Sequence, residues 1–185
     1  MHITTAELTE ALPHVLAAPK GHARVENLCF RPGYNLREFP DTLHLTAAQG
    51  VPGERWLSAP WLRHDDGTPH PGIQVSILPL RVLDLVWRDR KATPHPGDTM
   101  VADLDVSEAN LPAGSLLQAG TAQLAVSNLF NEGCVKWKVR YGADAKAWIT
   151  APGHPELRLR GVLCAVVKDG VVQLGDTLKI IRRGN

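Results

Sequence analysis

The stretch Asn131-Glu132-Gly133-Cys134-Val135-Lys136-Trp137-Lys138-Val139-Arg140-Tyr141-Gly142 sets a thiol beside a permissive glycine and three cations. Val135 and Val139 are four apart, the spacing of one helical face, so a short helix is expected to begin near Cys134. A cysteine at the positive end of a helix, next to Lys136, Lys138 and Arg140, favours the thiolate. Thiolate is the form that attacks sulfur or ligates a soft metal. The same residues also allow Cys134 to be one more small buried side chain. Three cations spaced by two cannot all share one helical face, so Lys136 and Arg140 are the pair expected to point together.

A second candidate is Gly50-Val51-Pro52-Gly53-Glu54-Arg55-Trp56. Its glycines and proline predict a tight loop presenting Arg55, a fork of donors suited to phosphate or carboxylate. Arg31, followed by Pro32 and Gly33 after a strand, is a further candidate for an anion. His64 and His70 flank Asp65 and Asp66, but their spacing suits no regular metal site and a solvated polar loop is expected. His95, between two prolines, reads as a turn residue. Cys29 and Cys164 lie in apolar runs and are expected to be structural.

The sequence holds no phosphate-binding Gly-x-x-x-x-Gly-Lys loop, no Gly-x-Gly-x-x-Gly, no Gly-x-Ser-x-Gly elbow and no His-Glu-x-x-His pair. Local support for ATP hydrolysis, Rossmann cofactor binding or serine-hydrolase chemistry is therefore missing. Twenty Lys and Arg against 19 Asp and Glu leave a formal net charge of +1. A general nucleic-acid binder would carry a basic excess, so no nucleic-acid partner is expected. No apolar run is long enough for a membrane helix, and the N-terminus lacks the pattern of a secretory signal. Three widely spaced cysteines fit reduced thiols and a cytoplasmic location better than a disulfide framework or zinc site.

The elements that must position these residues are short, because 16 glycines and 14 prolines are spread along the chain. Thr4 and Glu7 have capping-box spacing ahead of a stripe of Leu8, Leu12, Val15 and Leu16. Pro13 predicts a kink or stop near Leu12. Strands are predicted over 25–30, 42–46, 74–78, 81–86, 100–104, 121–126, 159–167 and 171–180, with a hairpin turn at Lys168-Asp169-Gly170. Eight short strands predict a mainly β (α+β) fold, a closed barrel with short peripheral helices. The organisation expected is a helical extension over residues 1–21 and a barrel domain over 22–185.

The combination of these stretches, in this order, resembles the MOSC domain. That module ends molybdenum cofactor sulfurases and also occurs as small stand-alone bacterial proteins. The likeness is carried by Gly50–Trp56, with Glu54 where the family usually has Asp, and by Gln74–Leu78 with Arg81-Val82. It continues through Gly97-Asp98 and Asp105–Gly114, Gly133–Trp137 with Arg140-Tyr141-Gly142, Leu159–Val162, and Gly175-Asp176. The resemblance implies a barrel of the type also seen in the small domain of pyruvate kinase. It implies binding of the molybdenum cofactor (molybdopterin, a pterin bearing a phosphate) and handling of sulfur or metal at Cys134. Arg55, Lys136, Arg140, Asn131 and Arg31 would then hold the cofactor, and Cys134 would ligate molybdenum or carry a persulfide. Partners implied are a sulfur donor or acceptor protein. The alternative is a molybdenum-dependent reductase of N-hydroxylated compounds fed by an external redox partner. No pyridoxal phosphate is expected in this chain. Asn131 stands where close stand-alone members have histidine beside the Gly-Cys pair.

Overall fold

The computed structural model describes residues 2–185. Helix α1, Thr5–Leu16, opens on a complete capping box: the Thr4 side chain accepts from the Glu7 amide, and Glu7 reaches back to the Thr4 amide. Pro13 lies inside this helix rather than stopping it. It sits on the exposed side, where water can take the carbonyl that the missing N–H leaves free.

Strands β1 (His22–Leu28), β2 (Thr42–Leu45) and β3 (Val75–Pro79) follow, then helix α2 (Leu80–Val86) and β4 (Met100–Ala102). Next come β5 (Leu116–Ala119), β6 (Ala122–Val126), α3 (Val135–Tyr141), α4 (Ala143–Ile149), β7 (Val162–Lys168), β8 (Gly170–Gln173) and β9 (Thr177–Arg182). Seven strands close a barrel in the order β1-β4-β3-β7-β6-β5-β9, and β2 pairs with β8 in a separate ribbon. Only the β3–β4 pairing is parallel. The architecture is the mainly β barrel with short peripheral helices that the strand pattern predicts.

Alternation explains the barrel lining. Along β6, Ala122, Leu124 and Val126 turn inward while Gln123 and Ala125 are partly exposed. Val25, Leu28, Val75, Ile77, Met100, Leu117, Leu124 and Cys164 belong to the barrel core. A second apolar cluster joins α1, α2, α3 and α4 on one flank, with Leu8, Val82, Leu83, Trp137, Tyr141 and Trp148 at its centre.

The structure corrects several predicted elements. Residues 81–86 form α2, not a strand, because Val82, Leu83 and Val86 bury one helical face in the flanking cluster. The run 171–180 is broken by Gly175 (φ 90°), whose amide donates to Val25 O. The turn at 168–170 does not make a hairpin of β7 and β8, since β8 instead pairs antiparallel with β2. Gly170 is needed there for close approach, because a Cβ would meet the backbone of Thr121 and Ala122. Strand β5 and helix α4 add to the elements that the sequence predicts.

Candidate functional site

Gly133 adopts a left-handed backbone (φ 72°) and packs on the Trp137 side chain, where a Cβ would lie 3.4 Å from the ring base. This turn delivers Cys134 to the N-cap of α3 with extended backbone and no capping bond to its side chain. Cys134 is exposed, whereas Cys29 and Cys164 are buried. Burial pushes both inner thiols up to about 12, so they remain protonated. Cys134 is therefore the thiol with access to solvent.

Helix α3 forms where the valine spacing predicts it, but with the opposite face inward. Trp137 and Tyr141 are buried edge to face with ring centroids 4.7 Å apart, while Val135 and Val139 are 76% and 71% exposed. The two aromatics bury more area than the valines could, and each finds a partner for its polar end. The Trp137 indole donates to Ala145 O at 3.3 Å and the Tyr141 hydroxyl to Pro94 O at 2.9 Å.

That orientation sends Lys136 and Arg140 toward the loops following β1 and preceding β4. Lys136 Nζ donates to Asn35 Oδ1 at 3.0 Å and stands 3.8 Å from the Tyr34 ring centroid. The Arg55 guanidinium lies 5.8 Å from the same ring, and its backbone amide donates to Arg31 O. Arg140 and Arg37 both donate to Pro96 O, at 3.5 and 3.4 Å. Burial and the neighbouring Arg140 charge lower the proton affinity of Arg37 below the usual guanidinium value. Arg37, Arg55, Lys136 and Arg140 make no ion pair with a carboxylate among the described residues.

The other two candidates are engaged differently. Arg31 pairs with buried Glu54 at 2.9 Å, and Glu54 also accepts the Arg31 amide. Glutamate reaches both groups from its loop. Asn131 donates to Arg160 O at 3.1 Å, tying the cysteine loop to the entrance of β7. The Arg160 guanidinium pairs with Asp98 at 2.8 Å and lies 4.5 Å from the Trp137 ring centroid.

Tyr34, Arg37, Asp98 and Arg160 belong to this constellation without having been singled out as site residues. Their signal was weak: Arg37 sits six residues beyond Arg31 in a loop, and the other three are ordinary until the fold brings them together. His95, expected as a turn residue, lies in the loop before β4 but inside the protein. It is 2% exposed, edge-on to Phe39 and Trp87, with Nδ1 accepting the Gly97 amide. Four buried polar atoms around the 94–98 loop lack partners: Arg37 Nε, His95 Nε2, Asp98 Oδ2 and Arg160 Nε. His64 and His70 stack at 4.6 Å. Among the described residues, no group of three or more His, Cys, Asp or Glu is placed to hold a metal.

The best-formed hollow, about 380 Å³, is lined by Phe30, Thr42, Leu43, His44, Val51 and Pro52 among others, and no candidate site residue reaches it. A smaller one lies between the end of α1 and the 104–106 loop.

No protein-family model matches the chain, and no curated protein matches it. Solved structures do. The YuaD protein of Bacillus subtilis is 18% identical with a TM-score of 0.57, over 86% of this chain and 95% of that one. YiiM from Geobacillus stearothermophilus is 16% identical (TM-score 0.59; 88% and 76% covered), and YiiM from Escherichia coli 17% (0.55; 88% and 71%). What is shared is the fold, a small MOSC-type barrel. Among the described residues no helix is long and apolar enough to cross a membrane.

Proposed function

We propose that the MOSC-type barrel of this protein binds the molybdenum cofactor and handles its metal, or a sulfur atom, at Cys134. The observation carrying this reading is an exposed thiol at the start of the helix that bears Lys136 and Arg140, which meet Arg55 at Tyr34 and Arg37 at Pro96, four cations without carboxylate partners among the described residues. Uncompensated charge costs stability, and a bound anion offsets that cost. The residues fit such a group. Arg55, Lys136 and Arg140 would hold the pterin phosphate, with the free Nε–H of Arg37 as a further donor. Cys134 would supply one soft ligand, so the metal must arrive with its other ligands already in place. When bound, the cofactor supplies two-electron redox or sulfur chemistry at molybdenum. As a sulfur carrier, the Cys134 thiolate attacks the terminal sulfur of a donor persulfide. A new S–S bond forms at Cys134, the donor's S–S bond breaks, and the donor leaves as thiolate.

The test is the molybdenum content and intact mass of protein produced with an active cofactor pathway, beside Cys134→Ser and Arg55→Ala. Bound molybdenum or one added sulfur atom is expected in the parent and absent from a folded Cys134→Ser. Arg55→Ala should retain less cofactor while staying folded. Neither metal nor added sulfur in the parent, under sulfur-donor conditions included, would sink the assignment.

A further inference from the structure

Twelve large apolar side chains are exposed among the described residues, and eight of them lie on just three segments, 34–39, 57–61 and 130–139. Those segments converge on the candidate site: Lys136 and Arg55 both pack against Tyr34, and Arg55 also reaches back to Ala59 O. Tyr34, Trp61, Val135 and Val139 are each at least two-thirds exposed, at 69%, 67%, 76% and 71%. Scattered exposed apolar residues need no explanation, but a concentration of them marks an interaction site. Here it is interleaved with four cations that have no acidic partner among the described residues, a mixture of Tyr, Trp and Arg typical of protein interfaces. The two best-formed hollows lie elsewhere. A small ligand on such a surface would leave the outer face of α3 bare, since Val135 and Val139 stand opposite Trp137 and Tyr141.

We propose that this face docks a second protein whose contact surface is acidic with aromatic or aliphatic side chains at its centre, so that the partner closes over Cys134. Charge complementarity selects the acidic partner, and Val135, Val139, Tyr34 and Trp61 select its apolar centre. The inference deepens the reading above, since it takes Cys134 as the working thiol of a transfer surface.

The probes are a labelled random copolymer of glutamate and tyrosine and labelled polyglutamate of the same length, titrated against the full chain by fluorescence anisotropy. The copolymer is expected to bind at least about tenfold more tightly than polyglutamate. The double variant Val135→Ser/Val139→Ser, altering two solvent-facing positions, should lose most of that advantage and leave polyglutamate binding unchanged. Hydrogen exchange should show copolymer protection confined to 34–39, 55–61 and 130–141. Equal binding of the two polymers, an unaffected double variant, or protection elsewhere would overturn the proposal. So would self-association mapping to these residues, which would make the occupant a second copy. Inorganic phosphate titrated alone separates the two readings. Phosphate binding without copolymer binding removes the docking surface and keeps the anion site. Copolymer binding without phosphate binding keeps the docking surface and removes the cofactor phosphate site.

Discussion

His95 illustrates how one side chain can carry information about the state of a whole loop. It is buried between Phe39 and Trp87, and burial pushes its proton affinity down to about 4 against an ordinary 6.5. In the folded chain it therefore stays neutral down to about pH 4, while in the unfolded chain it takes up a proton below about 6.5. The unfolded state binds more protons in that window, so stability must fall as pH drops from 6.5 toward 4. The contribution is at most about 3 kcal/mol. Urea midpoints measured across this range should show a shallower slope in His95→Asn, which keeps an acceptor for the Gly97 amide; an unchanged slope would remove His95 as the source. At the same scale, Cys134, Lys136 and Arg140 could be read from the sequence because their types and spacing are local facts. Arg37 and Arg160 could not, because what distinguishes them is a carbonyl, a carboxylate and a ring supplied by distant segments.

Elements were legible where the local pattern agreed with what the barrel required. Strands β1, β2 and β6 follow alternation, β3 and β4 are short apolar runs buried on both faces, and α3 follows its cysteine-loop glycine. The errors share one physical cause: tertiary packing overrode a short local signal. Val82, Leu83 and Val86 suit a strand by type but serve a helical face once the flanking cluster is there to receive them. Val135 and Val139 have helical spacing, yet Trp137 and Tyr141 win the inward face. Glycine is equally ambiguous from sequence, and the structure sorts the cases. Gly161 (φ 85°) enters β7 so close to β3 that a Cβ would strike the Ile77 carbonyl, whereas Gly67 (φ 85°) has open space around it. Gly161→Ala should therefore cost more than about 2 kcal/mol, and Gly67→Ala only about 1 kcal/mol for its left-handed backbone. Equal losses in denaturant unfolding would mean that the close approach to β3 relaxes freely.

For the whole molecule, near-zero net charge conceals an uneven distribution. The formal charge is +1, but Arg37, Arg55, Lys136 and Arg140 gather on one face without ion-pair partners among the described residues, while two ion pairs, Arg31–Glu54 and Arg160–Asp98, lie close to that face. Phosphate should then raise the unfolding midpoint beyond sodium chloride of matched ionic strength, since binding to the folded state alone stabilises it by mass action. Arg140→Ala should reduce that increment. Equal effects of the two salts would reduce the cluster to general screening.

The barrel's closing seam has a consequence in time. Its first strand pairs with its last, His22 against Lys179 and Arg24 against Thr177. During synthesis β1 must wait, with one edge open, until β9 has left the ribosome. Most of the sheet can assemble beforehand, but the ring cannot close. Such long-range pairing slows folding and leaves an unpaired edge available to other chains. The newly made protein is thus most prone to aggregation just before its final strand arrives, and a chain halted short of Thr177 would remain in that open form.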